Sequence, residues 1–260
     1  MTFDEVVVQL REAGCVFAED EATLLVAASH SPTDLKKQVD KRVSGIPLEH
    51  ILGWVEFCGL RILVDSGVFV PRQRTAFLVY QAVALAAPDT VVLDLCCGSG
   101  AIGVAIAARL PGIDLFAADI DLFAADIDPL AVANARCNIR PSRVFEGDLF
   151  DAVPWSLSGR IQLLVANTPY VPTDAVALMP PEARLFEARV AIDGGVDGLD
   201  VQRRVAEAAP HWLAPSGHLV VESSEEQADV TAALFEANGL VASIAHSEEF
   251  SATVVIGTLA

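Results

Sequence analysis

The most restrictive stretch of the chain is Val91-Val92-Leu93-Asp94-Leu95-Cys96-Cys97-Gly98-Ser99-Gly100, an apolar run that gives way to a glycine loop. An apolar helix pattern from Ala101 to Leu110 follows at once. An open parallel α/β sheet presents the end of its first strand to a nucleotide-like ligand in this way, with a helix N-terminus at the ligand. Strands and helices alternate from Val91 onward, which predicts a doubly wound α/β sheet. Gly98, Gly100 and Gly103 also satisfy G-x-G-x-x-G, so a dinucleotide site is one reading, although glycines after strands also serve packing alone. Asp94 counts against it. An acid in the strand end faces a phosphate unfavourably and suits a cationic or amino-bearing cofactor.

Upstream, Val6, Val7 and Leu10, then Leu24, Leu25 and Ala28, then Leu35 and Val39 recur at helical spacing, with Ser31-Pro32-Thr33 as a cap before the third group. Residues 1–45 are expected to form a small helical domain without catalytic residues. From Ile46 the pattern turns to strands. Trp54-Val55-Glu56-Phe57, a break at Cys58-Gly59 and the run Leu60 to Asp65 predict a β-hairpin within a linker, 46–75. It leads into Val68-Phe69-Val70-Pro71-Arg72-Gln73-Arg74-Thr75, where a proline and two arginines fit either a surface corner or a lip over an anionic ligand. A helix around 76–87 opens the third unit, 76–260.

Past the glycine loop, Asp114-Leu115-Phe116-Ala117-Ala118-Asp119-Ile120 is repeated at once as Asp121-Leu122-Phe123-Ala124-Ala125-Asp126-Ile127, followed by Asp128-Pro129. The period is far below the roughly 20 residues of a repeat architecture, so it reads as one strand duplicated. Either copy could supply a second strand whose terminal acid binds ribose hydroxyls. Distance from the glycine loop favours Asp119. Continuity with Asp128-Pro129, a helix N-cap and first-turn proline, favours Asp126, the preferred copy. A helix over 129–138 and a strand over 144–146 lead to Gly147-Asp148-Leu149-Phe150, where Asp148 either accepts from an adenine amino group or caps the turn.

The apolar run Ile161 to Ala166 ends in Asn167-Thr168-Pro169-Tyr170. The Asn167 side-chain oxygen and the Thr168 carbonyl can each accept one hydrogen from a planar NH2 group, while the Tyr170 ring lies against its face. Pro169 pushes Thr168 into an extended conformation and adds no competing donor. An ordinary strand-exit turn is the plainer reading of the same residues. Beyond it, Met179-Pro180-Pro181-Glu182 and Asp193-Gly194-Gly195-Val196-Asp197-Gly198-Leu199 form a Pro- and Gly-rich loop that either covers a site or merely connects elements. Helices over 200–213 and 225–238, a strand over 217–222, and an antiparallel pair over 240–245 and 253–256 complete the sheet.

Charge narrows the partners. The formal charge is −18, and beyond Thr75 Asp and Glu outnumber Lys and Arg 24 to 9. Such a surface repels a phosphate backbone, so nucleic acid is disfavoured and a basic protein partner favoured. No stretch reaches the roughly 18 apolar residues of a membrane span, and Met1-Thr2-Phe3-Asp4-Glu5 lacks the order of a secretory signal. Cysteines 15, 58, 96, 97 and 137 follow no metal spacing, which suits a reducing cytoplasm and no metal.

Three motifs together carry a family resemblance. The Asp-Leu-x-x-Gly-Ser-Gly loop at 94–100, Asp-Ile-Asp-Pro at 126–129 and Asn-x-Pro-Tyr at 167–170 resemble the S-adenosylmethionine-dependent protein-(glutamine-N5) methyltransferases, whose best-known members modify the Gly-Gly-Gln glutamine of peptide chain release factors. The likeness extends to Pro71-Arg72 and to the Asp193 to Leu199 loop. It implies a mostly parallel, seven-stranded Rossmann-like methyltransferase sheet with a small helical N-terminal domain joined by a β-hairpin. It also implies S-adenosyl-L-methionine as cofactor and a protein substrate. Asp94, Cys96 and the Gly98 to Gly100 backbone would hold the methionine part, Asp126 the ribose, and Asp148 with Leu149 the adenine. Asn167 and Thr168 would hold the acceptor amide, with Tyr170 stacked on it. The chain departs from the pattern at Thr168 and Ala188, each for a proline, at Cys96 for a glycine, and at Gln73, Arg74 and Ala76 within a Pro-Glu-Thr-Glu run. Two other readings fit the motifs: an adenine or cytosine amino methyltransferase, since those amines are also flat, and a cofactor-binding partner silenced by its duplicated strand. A nicotinamide oxidoreductase is more remote.

Overall fold

The computed structural model describes residues 1–87, 89–110 and 121–260. Four helices come first: α1 (Phe3–Glu12), α2 (Ala18–Ala28), α3 (Pro32–Val43) and α4 (Leu48–Leu52). Val6, Leu10, Ala22, Leu25, Leu35 and Val39 form their shared core, so the apolar positions at helical spacing face one another. The α4 segment falls where strand pattern was expected from Ile46. Five residues are too few to display a helical period, and Leu48, Ile51 and Leu52 join this core.

Strands β1 (Trp54–Phe57) and β2 (Leu60–Leu63) form the expected antiparallel hairpin. Its two-residue loop, Cys58-Gly59, has positive φ at both positions (55° and 76°), as the turn that matches strand twist requires. After α5 (Ala76–Leu85) the sheet begins with β3 (Val91–Leu95), followed by α6 (Ala101–Ala107), β4 (Asp121–Asp126), α7 (Pro129–Asn138), β5 (Val144–Glu146) and β6 (Ile161–Ala166). The remaining elements are α8 (Pro181–Phe186), α9 (Asp200–Trp212), β7 (Leu213–Ser223), α10 (Glu225–Ala237), β8 (Leu240–Ser247) and β9 (Ala252–Leu259).

The seven strands are ordered β5-β4-β3-β6-β7-β9-β8, parallel except for β9, which runs antiparallel to both neighbours. Every residue of β3 is buried, as a central strand covered on both faces by helices requires. One core layer joins α5 and α6 to the sheet through Leu78, Val79, Ile102 and Ile106; the other packs Val205, Ala209 and Trp212 of α9 on the opposite face. The doubly wound α/β expectation is met. The chain leaves β3 toward β4 and β5 on one side and returns to β6 on the other, so the loops after β3 and β6 part at a switch point where such sheets hold ligands.

Candidate active site

The loops after β3 and β6, far apart in the chain, meet in a cleft of about 230 Å³ outside the carboxyl ends of the strands. Cys96, Gly98, Asp126, Asp148, Leu149, Asn167, Thr168, Pro169 and Tyr170 all line it. Asp94 and Gly100 do not.

One wall is made of backbone. Cys96, Gly98 and Gly100 take positive φ (56°, 55° and 78°), turning the chain sharply from β3 into α6. A Cβ on Gly100 would stand 2.6 Å from Ile139 Cδ1, which accounts for glycine there. The Gly98 N–H donates to Asp126 Oδ2 at 2.8 Å and the Asp128 N–H to Asp126 Oδ1 at 2.9 Å. Asp126 thus ties the glycine loop to the end of β4, and a carboxylate has lone pairs left for two hydroxyls. Burial raises its pKa, against which the backbone donors work. Asp119 lies outside the described residues.

Asp94 sits one layer down, fully buried. Its Oδ2 accepts from the Gly103 N–H at 2.8 Å, while Oδ1 has no partner. Burial, with some help from the charge of Asp126, pushes its carboxyl up to about 8. Gly103 lets α6 lie this close, since a Cβ would stand 2.7 Å from Leu122 Cδ1. Asp148 makes no capping bond to its own turn; its Oδ2 accepts from Arg204 of α9 at 2.8 Å, and both residues line the cleft.

The other wall is built from distant pieces. The Val171 N–H donates to the Ile192 carbonyl at 3.1 Å, and the Gly194 N–H to the Val171 carbonyl at 2.8 Å. Gln227 Nε2 donates to the carbonyls of Tyr170 and Asp197 at 3.1 and 2.9 Å. A Cβ on Gly194 would stand 2.6 Å from the Pro169 carbonyl oxygen, and one on Gly198 2.2 Å from that of Tyr170. The Asp193 to Leu199 loop is therefore a buttress behind Asn167 to Tyr170, pressed against it at backbone contact. Among the described residues no hydrogen bond engages the Asn167 side chain or the Thr168 carbonyl, which leaves both acceptors for a ligand.

Arg72 and Arg74 do form a lip of the cleft, but each has a protein counter-charge. Arg72 Nη2 reaches both carboxylate oxygens of Glu187 at 2.7 and 2.6 Å, and the Val70 N–H donates to the same group. Arg74 pairs with Glu222 Oε1 at 3.3 Å and donates to the Tyr170 hydroxyl at 2.5 Å. An anion-binding lip is thereby disfavoured. Glu187, Glu222, Arg204 and Gln227 have no sequence signal for this role; what ties each to the cleft is a partner remote in the chain.

The model of the methyltransferase small domain matches residues 59–189. A release factor glutamine methyltransferase of Geobacter sulfurreducens is 38% identical over 203 residues, covering 77% of this chain and 69% of that protein. One from Xylella fastidiosa (strain 9a5c) is 35% identical over 230 residues, 87% of this chain and 80% of that protein. Among solved structures, a chain of the E. cuniculi Mtq2-Trm112 complex, responsible for methylation of the eRF1 translation termination factor, matches with a TM-score of 0.53 at 20% identity. That match spans 75% of this chain and 99% of the other, and it concerns the fold.

Proposed function

We infer the function of this chain from one premise: it belongs to the release factor glutamine methyltransferases. It is an S-adenosylmethionine-dependent enzyme that methylates the side-chain amide nitrogen of a protein glutamine. The finer reading is that this glutamine lies in the Gly-Gly-Gln motif of a peptide chain release factor and is met in the cytoplasm. Among the described residues no helix is long and apolar enough to cross a membrane.

The cleft suits the cofactor. Thr75 Oγ1, Ser99 Oγ and Thr168 Oγ1 are buried groups of cleft-lining residues without a protein partner, as expected of a site that receives a ligand rich in polar atoms. Ala125, Ile127 and Leu149 line the cleft together with Asp148, a set of apolar and acceptor groups that suits a flat base bearing an amino group. In this reading Asp126 holds the ribose hydroxyls, the Gly98 loop the methionine part, and Asp148 with Leu149 the adenine. When bound, S-adenosylmethionine supplies an electrophilic methyl group.

The chain's own contribution on the acceptor side is orientation and charge. An amide nitrogen is a weak nucleophile because its lone pair is shared with the carbonyl. Asn167 Oδ1 and the Thr168 carbonyl accept the two N–H groups, aim the nitrogen and stabilise the positive charge that grows on it. The proton leaves after transfer, so no strong base is required. The observation that carries this reading is the pair of acceptors at Asn167 and Thr168, unengaged among the described residues, in the same cleft as the Gly98 loop and Asp126. The acidic surface adds support for a protein rather than a nucleic acid acceptor. The second copy of the repeated stretch, Asp121–Asp126, pairs in unbroken register with β3 and at its end with β5, which supports reading Asp126 as part of a working site.

The test is transfer of labelled methyl from S-adenosylmethionine into a release factor of the source organism, beside a variant carrying Gly-Gly-Ala and a whole lysate. Label on the release factor that vanishes in the variant is the expected outcome. Label confined to another lysate protein would overturn the release-factor assignment.

A further inference from the structure

Tyr170 is held from two directions. Its carbonyl accepts from Gln227, and its hydroxyl stands between Arg74 and Glu222, accepting from Arg74 Nη2 at 2.5 Å and donating to Glu222 Oε1 at 3.2 Å. Arg74 Nε donates to that same carboxylate oxygen at 3.3 Å, closing a three-membered network. The members come from three elements: the 3-10 turn Gln73–Thr75, the loop after β6, and the end of β7. Glu222 is 2% exposed, and its second oxygen has no partner. A buried carboxylate in that state depends on a counter-ion, and among the described residues the guanidinium of Arg74 is the one paired with it. The phenol is correspondingly a poor acid, pushed up to about 12 by burial and by Glu222. The hydroxyl therefore stays protonated and acts as a fixed joint. Arg74 stands where the family pattern has an acid, and an acid there would face Glu222 without a partner.

We propose that Arg74 and Glu222 are positioning residues, which act through the Tyr170 hydroxyl to hold its ring against the methyl-accepting amide. This rests on the acceptor site proposed above. Neither residue needs to touch the substrate. A ring freed to swing would leave the amide bound by Asn167 and Thr168 but poorly aimed, so the loss belongs to turnover and not to binding of cofactor. Misplacement on the ångström scale costs up to about 100-fold in rate.

The test compares Arg74→Gln, Arg74→Lys, Tyr170→Phe and the double variant Arg74→Gln/Tyr170→Phe, with folding checked by thermal melting. On the release factor, Arg74→Gln is expected to lower kcat by roughly 10- to 100-fold with S-adenosylmethionine affinity unchanged. Arg74→Lys, which retains one charged donor, should recover part of it. Because Arg74 acts through the hydroxyl, the double variant should be no slower than the worse single variant. Additive losses would overturn the proposal and make Arg74 a direct substrate contact. A second arm needs no substrate: the chain has 2 tyrosines, so 13C-tyrosine NMR isolates the Tyr170 ring by comparison with Tyr170→Phe. Its signal should move in Arg74→Gln; an unmoved signal would overturn the network itself. If the wild-type enzyme labels no release factor, the function reading fails, and the NMR arm decides the network on its own.

Discussion

The two walls of the cleft are held together by different means. On the side proposed for the cofactor the parts are backbone turns and two carboxylates: Cys96, Gly98 and Gly100 in left-handed conformations, Asp126 accepting from Gly98 and Asp128, and Asp148 accepting from Arg204. On the acceptor side the parts are long-range ion pairs and a buttress: Arg72 with Glu187, Arg74 with Glu222 and Tyr170, and the Asp193 to Leu199 loop behind Tyr170. Apart from the Asp148–Arg204 pair, the proposed cofactor wall needs only the geometry of two adjacent strand ends. The acceptor wall needs the tertiary fold complete, because its pairs join segments that meet only across the sheet.

Asn167→Ala should break the acceptor wall alone. Loss of an acceptor aimed at developing charge is expected to reduce methyl transfer by about 1,000-fold, with S-adenosylmethionine affinity within a few-fold of wild type. Calorimetric binding beside the transfer assay checks it. Equal loss of both would mean that the walls are one site without separate duties. Asp126→Ala tests the opposite wall. Removing a charged acceptor from ligand hydroxyls and from the Gly98 N–H should cost about 2–3 kcal/mol of cofactor binding, roughly 30- to 150-fold. Asp119→Ala should cost far less; the reverse order would assign the ribose to the first copy of the repeat.

The same contrast explains what was legible in the sequence. Val91 to Leu95, the glycines at 98 and 100, Asp128-Pro129 and the run ending at Ala166 are signals complete within ten residues or so, and the β3, β4, α7 and β6 boundaries follow from them. Asp126 over Asp119 could be argued because the N-cap and the proline stand beside it. The short α4 has no room to show a period. Glu187, Glu222, Arg204 and Gln227 are a different case: their partners lie 115, 148, 56 and 57 positions away. No local pattern encodes such a pairing. The two arginines at 72 and 74 could be seen, but their meaning could not, because the carboxylates that neutralise them are supplied by the far end of the fold. The loop at 193–199 was visible as flexible chain chemistry, whereas its role as a buttress depends on Tyr170 lying against it.

A further test lies beneath the proposed cofactor wall and asks whether Asp94 is floor or ligand. Its carboxyl is raised to about 8 in the folded chain, against about 3.9 when unfolded. The folded state therefore holds the extra proton between those values, and stability from this group is complete below the lower one and is lost as pH rises through the upper. Asp94→Asn copies the protonated acid and keeps an oxygen for the Gly103 N–H. Its melting temperature should gain on that of wild type from pH 5 to pH 8; parallel curves would show that the carboxyl is already ionised at neutral pH. Cofactor binding then separates the two roles. If the amino group of S-adenosylmethionine reaches the unpartnered Oδ1, binding at pH 7 must release most of a proton, seen as a calorimetric enthalpy that depends on the buffer and loses that dependence in Asp94→Asn. If Asp94 only anchors α6 through Gly103, as its place below the cleft lining indicates, no proton is released. The proposed cofactor wall is then the Gly98 loop, Asp126, Asp148 and Leu149, with Asp94 beneath it.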